Sequence, residues 1–325
     1  MRRRTFLATL SLGLLTTPRT GHAQTPTKTA RVGWVAGSAG PLPTSEYLDA
    51  FREGLRERGW AEGRNLVIEA RWGDRDRARE LAAELVRLKM DVLVAQGPMV
   101  VGVRTEAGAI PVVFGFSGDP VEGKLVASLA RPGGNLTGLS FMSFELMGKR
   151  LELLKEALPR LVRVAVLANS AHTGEQSELR ETRAAARRLD LTVQYLPVRV
   201  AGDFDIAFAA MTRERAEAIV AFPDGLIMSQ ASAIAAFAAK HRIPAVSGWA
   251  PFAERDNLMT YGPNLHESWR YVAAYVDRIL RGAKPADLPV EQPTRFELVV
   301  NLKTAKALGL TLPQSILLRA DRAIQ

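Results

Sequence analysis

From residue 30 to residue 302, short apolar runs rich in β-branched residues alternate with longer stretches of helical period, which restricts the chain to a layered α/β architecture. The runs Ala30–Ala36, Asn65–Trp72, Asp91–Gln96 and Pro111–Phe116 are almost continuously apolar, so strands made from them need cover on both faces. Parallel sheets with helical connections provide that cover. After the first run, Tyr47, Leu48, Phe51 and Leu55 share one helical face, and Gly59 is placed to end the helix in a left-handed turn. Arg75–Lys89 repeats the pattern, with Leu81, Leu85 and Leu88 expected inward.

The cluster Arg131-Pro132-Gly133-Gly134-Asn135 breaks the alternation and, with the extended Leu136–Phe141, is read as the first crossing into a second lobe. The pattern then restarts. Helices are expected at Glu145–Leu158, Glu175–Leu189, Phe204–Arg213, Leu226–His241 and Asn264–Arg281. Strands are expected at Arg163–Ala168, Leu191–Val198, Ala218–Phe222, Pro244–Ser247, Leu258–Tyr261 and Arg295–Leu302. Residues 24–139 with 264–291 make an N-terminal lobe, and 140–263 with 292–325 a C-terminal lobe, each a parallel sheet flanked by helices. Three crossings between lobes make a hinge that permits bending and limits sliding.

The N-terminus carries Arg2-Arg3-Arg4, an apolar run from Phe6 to Leu15, and Gly21-His22-Ala23 before Gln24, the three parts of a cleaved export signal. The run is about half the roughly 20 residues a membrane span needs. Arg3-Arg4-Thr5-Phe6-Leu7 suits twin-arginine export and the general secretory route alike. Losing residues 1–23 removes four Arg and lowers the formal net charge from +9 to +5. The remaining basic residues, such as Arg183, Arg187 and Arg188, are interleaved with Glu178 and Glu181, a solvated helix surface rather than a nucleic-acid footprint. The chain has no Cys, which excludes thiol nucleophiles, Cys-ligated zinc and iron–sulfur clusters.

Enzymatic motifs are missing as well. Ser117 lies in Gly-Phe-Ser-Gly-Asp, without the second glycine that a nucleophile elbow requires. His172, His241 and His266 are too far apart in sequence for a zinc motif, and neither a dinucleotide loop nor a Walker A loop is present, so no cofactor or metal is expected.

In parallel sheets a ligand sits beyond the carboxyl ends of the strands, where helix N-termini converge. That rule nominates Ser38, Gln96, Gly97, Ser117 and Asp119 in the first lobe, and Asn169, Ser170, Asp224, Trp249 and Tyr261 in the second. Capping is the competing role for Ser38, Ser117 and Asp119, and a turn role for Asp224. Trp249 and Tyr261 are candidate platforms for an apolar ring. A ligand carboxylate is expected on the N–H groups around Ser117–Asp119 and an amine on Asp224.

The residues also carry a resemblance. Glu53-Gly54-Leu55-Arg56, Glu62 to Glu69, Gly118-Asp119-Pro120-Val121, the run Leu125 to Ser140, Lys149 to Glu156 and Phe296 to Ala305 resemble the substrate-binding proteins of ATP-binding-cassette importers, in the group that includes tryptophan and tyrosine binders. The resemblance implies a two-lobed type I periplasmic binding fold with the ligand in the interlobe cleft. It also implies a receptor that delivers its solute to a membrane permease, without fixing which solute. The export signal places that receptor in the periplasm, the missing Walker A loop assigns ATP hydrolysis to a separate subunit, the cleft candidates suit a small amphipathic solute, an amino acid or aromatic acid, and a monomer is expected. The alternatives are a periplasmic sensing subunit of a membrane receptor and, behind it, a periplasmic enzyme. Mass spectrometry of the exported protein should find its N-terminus at or near Gln24; an intact Met1 there would refute the signal assignment.

Overall fold

The computed structural model describes residues 29–37, 45–141 and 144–325, so the expected signal segment and Ser38 lie outside the described residues. The first sheet contains β1 (Ala30–Gly37), β2 (Leu66–Gly73), β3 (Val92–Gln96), β4 (Val112–Phe116) and β5 (Leu136–Ser140). Its order is β2-β1-β3-β4-β5, and every pair is parallel. Helices α1 (Ser45–Glu57), α2 (Ala78–Arg87) and α3 (Met99–Glu106) connect its strands. β5 completes this sheet, so the turn cluster at 131–135 stays within the first lobe and the chain leaves only after Ser140.

The second sheet begins beyond α4 (Glu145–Ala157) and comprises β6 (Arg163–Asn169), β7 (Thr192–Val198), β8 (Ala218–Ala221), β9 (Ala245–Ser247), β10 (Met259–Pro263), β11 (Phe296–Asn301) and β12 (Arg322–Ile324). Helices α5 (Glu175–Arg188), α6 (Asp203–Arg213), α7 (Gly225–Ser229), α8 (Ala231–His241) and α9 (Ala250–Glu254) fill its connections up to β10. The order is β12-β11-β10-β9-β8-β6-β7. One pair departs from the all-parallel expectation, because β11 runs antiparallel to β10. The chain returns from the first lobe at the same edge where β10 left, and β11 must therefore run away from that edge. Between them lies α10 (Leu265–Leu280), and after β11 come α11 (Leu302–Ala307) and α12 (Gln314–Arg319).

Each sheet is covered on both faces. In the first lobe, Trp34, Phe51, Trp269 and Tyr275 form one layer and Leu85, Leu93, Val103 and Phe114 the other. Leu151, Leu154, Val166 and Ile316 lie on one side of the second sheet, with Phe204, Ile219, Ile234 and Phe252 opposite. Gly59 ends the α1 segment at φ +89 as expected. Leu81 and Leu85 are buried, whereas Leu88, beyond the end of α2, is 38% exposed rather than inward. The expected helix Leu226–His241 is two helices that meet at Gln230.

α10 begins at Asn264, whose Oδ1 accepts a hydrogen bond from the Glu267 N–H, a side-chain cap of the type that starts helices. It packs along α1 and against β4 and β5, so a helix inserted between two second-sheet strands builds the first lobe. Trp269 reaches the middle of that layer, with ring centroids 4.9 Å from Trp34 and 5.8 Å from Phe141. The α1–α10 approach is set by Gly54, where a Cβ would run into the Arg270 carbonyl oxygen and the Ala273 methyl. Gly54→Leu should therefore lower stability by about 2–3 kcal/mol in urea denaturation, the usual cost of overpacking. Gly134→Ala, at a site where an added methyl meets nothing, should leave the transition unchanged.

Candidate functional site

Parallel pairing gathers strand carboxyl ends and the following helix N-termini on one edge of each sheet. In this protein the two edges face and touch. Ser117, just past β4, shares a 3.0 Å hydrogen bond between its Oγ and Nε2 of His172, just past β6. The Asp119 N–H donates to the Thr173 carbonyl at 3.2 Å, and the Phe116 ring lies 6.4 Å from the His172 ring. Trp249, from the second lobe, is 8% exposed and packs into the first-lobe layer that contains Phe141, Leu265 and Trp269.

Several predicted residues meet at this seam. Gln96 ends β3 with its Oε1 buried and without a hydrogen-bond partner, and Trp249 has its Nε1 in the same state. A buried polar atom left unpaired costs about 1–3 kcal/mol, so a partner for either atom would be stabilising. Gly97 follows Gln96 at φ +56 and donates its N–H to the Gly115 carbonyl. Asp119 Oδ1 accepts from the N–H groups of Val121 and Glu122 at 2.7 and 3.0 Å. It caps a turn, and with its own N–H bonded to Thr173, the N–H groups of Asp119, Val121 and Glu122 are not open to a ligand carboxylate.

Asp224 caps α7 through the Ile227 N–H at 2.8 Å, and its other oxygen accepts from Asn169 Nδ2 at 2.5 Å. Asn169 Oδ1 accepts in turn from the Ala171 N–H, which makes the pair a rigid corner between the ends of β6 and β8. Ser170 is not brought to the seam in the same way: it lines an open groove of about 360 Å³ with Leu196, Pro197, Arg199, Asp203 and Ile206, all of the second lobe. Tyr261 rests half-buried against the second-lobe core with its ring 6.2 Å from Phe296. Its contribution at the edge is its carbonyl, which accepts from Arg150.

Sequence reading missed Arg150, His172, Glu175 and Glu178, all buried or nearly so at this edge of the second lobe. Arg150, in the second turn of α4, is 3% exposed; its Nε donates to the Tyr261 carbonyl at 2.8 Å and its Nη1 lies 3.4 Å from the Met147 sulfur. Loss of water brings its pKa down to about 10, although the Glu178 charge opposes that shift. Glu178, in the first turn of α5, is pushed up to about 8 chiefly by burial, with Arg150 pulling it back down and Asp224 and Glu175 pushing it higher. His172 is held below its ordinary value by burial, against the pull of Asp224 and Glu175. The one available signal was two acids in the first turn of a helix, a pattern that usually marks a solvated terminus.

The chain resembles known proteins in sequence and fold. The family model described as ABC transporter substrate binding protein matches residues 44–324. A tyrosine-binding protein of Clostridioides difficile is 23% identical over 264 residues, 80% of this chain and 75% of that protein. Among solved structures, a conserved domain protein of Vibrio cholerae superposes with a TM-score of 0.84 at 27% identity, over 91% of this chain and 100% of the other. A domain from Streptococcus pneumonia in complex with L-Trp gives the same TM-score at 24% identity and the same two coverages. With a family match across most of its length and two α/β sheets that meet at their carboxyl edges, this chain belongs to the ABC transporter substrate-binding protein family.

Proposed function

We propose that the mature chain is a periplasmic receptor that captures a small amphipathic solute, an amino acid or aromatic acid, between its lobes and delivers it to the permease of an importer whose ATPase is a separate subunit. The observation that carries this reading is the seam itself, where Ser117 and Asp119 bond directly to His172 and Thr173; Gln96 and Trp249, at the ends of β3 and β9, add buried polar atoms without partners. The tyrosine-binding relative and the L-Trp complex support an aromatic amino acid as the solute. Gln96, Gly97, Ser117 and Asp119 line the first-lobe side; Asn169, Asp224 and Trp249 line the second, with the Trp249 indole as the apolar platform.

A serine bonded to a histidine also invites a hydrolytic reading. The nearest carboxylate to the free ring nitrogen of His172, that of Glu178, is 4.0 Å from Nδ1, too far to orient the ring by a hydrogen bond. The serine and histidine also belong to different lobes and would part whenever the cleft opens. A closure contact explains the pair better than a catalytic one. Among the described residues no helix is long and apolar enough to cross a membrane.

The crossings at 138–141, 261–263 and 292–295 serve as the hinge, and a solute favours closure by binding the closed form better than the open one. L-Tyrosine or L-tryptophan at a hundred times its dissociation constant should stabilise the protein by about 2.7 kcal/mol in thermal unfolding, without turnover. Small-angle scattering should show a smaller radius with that solute bound. Trp249→Ala and Asp224→Ala should each weaken binding at least tenfold. Thermal hits confined to sugars, or an unchanged scattering profile at saturation, would overturn this assignment.

A further inference from the structure

Resting on the reading of the cleft as a solute site, we propose that its second-lobe floor is a receptor for the zwitterionic head of an α-amino acid, with Arg150 taking the carboxylate and Glu178, beside Asp224, taking the ammonium. Both helices that carry the new residues start at the cleft edge, α4 directly after the crossing from β5 and α5 after β6. Side chains lean toward the N-terminus of their helix, which carries the Arg150 guanidinium toward that edge. There it lies against Gly248, the last residue before Trp249: a Cβ on Gly248 would run into Arg150 Nη2 and the Pro223 ring. Glycine at this position is what leaves the guanidinium room at the ends of β8 and β9.

The charges of this floor do not satisfy one another. Among the described residues, no carboxylate lies within ion-pair distance of Arg150, whose hydrogen bonds go to a carbonyl and a thioether. Glu178 has a side chain only 4% exposed, yet its Oε2 has no hydrogen-bond partner. Asp224 is bonded to an amide and a backbone N–H, and Glu175 to Gln176, so neither meets a cation. Arg150 is thus a buried cation without a counter-charge and Glu178 a buried carboxyl without a partner, and a molecule that brings both a carboxylate and an ammonium meets both needs. A simple aromatic acid would answer Arg150 and leave the acids unpaired. An amine would do the reverse.

The titratable groups that face Glu178 are Arg150 from α4, Glu175 from its own helix, Asp224 from the end of β8 and His172 from the end of β6. Burial chiefly, with Asp224 and Glu175 adding to it and Arg150 opposing it, pushes the Glu178 carboxyl up to about 8 and keeps it protonated near neutrality. A bound ammonium favours the ionised form, so binding should release a proton at pH 7, and affinity should rise as the pH goes from 6 to 8.

Isothermal titration of the full mature protein tests the assignment with L-tyrosine and L-tryptophan, with tyramine and tryptamine, which lack the carboxylate, and with 3-(4-hydroxyphenyl)propionate and indole-3-propionate, which lack the amine. At least one amino acid should bind a hundredfold or more tighter than both of its truncated analogues. Its heat of binding at pH 7 should differ between phosphate and Tris in the sense of proton release. Arg150→Met should weaken the amino acid at least tenfold and leave the amine unchanged. Glu178→Gln should do the same relative to the propionate and abolish the proton release. The wild-type comparisons stand even if a variant does not fold. A propionate that binds as tightly as its amino acid, or an Arg150→Met that weakens all three probes alike, would overturn the head-group assignment and leave the solute-receptor reading intact. If neither amino acid binds the wild-type protein, this assignment is overturned; if the propionates do not bind either, the proposed solute class fails too.

Discussion

Parallel pairing leaves a sheet with two unlike edges, one of strand carboxyl ends and helix N-termini, the other of the reverse. In this protein both sheets turn the first kind of edge toward each other, and the contact that results passes through Ser117 and His172. Each position at the seam follows from that constraint. Gln96 and Trp249 are there because β3 and β9 end there, and Glu178 is there because α5 begins where β6 stops. The same polarity accounts for the antiparallel pairing of β11 with β10, since β11 starts from the edge at which the chain re-enters the lobe.

The two sides of the seam differ in chemical character. The first-lobe side offers an unpaired amide oxygen, a hydroxyl and aromatic rings backed by the Trp34–Trp269 layer. The second-lobe side concentrates buried ionisable groups: Arg150, Glu175, Glu178 and Asp224, with a histidine whose pKa burial holds below its ordinary value. A core that served stability alone would gain little from such a group, because desolvation of each ion costs several kcal/mol before any pairing is counted. Buried ionisable groups with displaced pKa values in a cleft are the usual mark of a place where something binds.

The two lobes are interdependent in a way that bears on motion. α10 lies between two strands of the second sheet in sequence and against α1 of the first sheet in space, and Gly54 lets the two helices approach to backbone distance. The first lobe therefore lacks part of its core until the chain has run out to β10 and back. The chain thereby runs between the two sheets three times.

The alternation of apolar runs specified the α/β layers by itself, because a strand buried on both faces and a helix buried on one leave different periodicities in any chain. Most element boundaries fell within a residue or two for the same reason: Asn264 and Gly59 act on the backbone next to them. Candidate site residues were visible only as strand ends, so the rule that names Gln96, Asp224 and Trp249 names Ser170 as well, which lines a groove formed by second-lobe residues. What only the tertiary structure decided is which side chains lose water together. Arg150 and Glu178 sit 28 positions apart on two helices that read as ordinary amphipathic segments. Their burial, and with it their altered proton affinities, arises from the packing of α4 and α5 on the sheet and from the open backbone at Gly248, none of which leaves a periodic trace in the sequence.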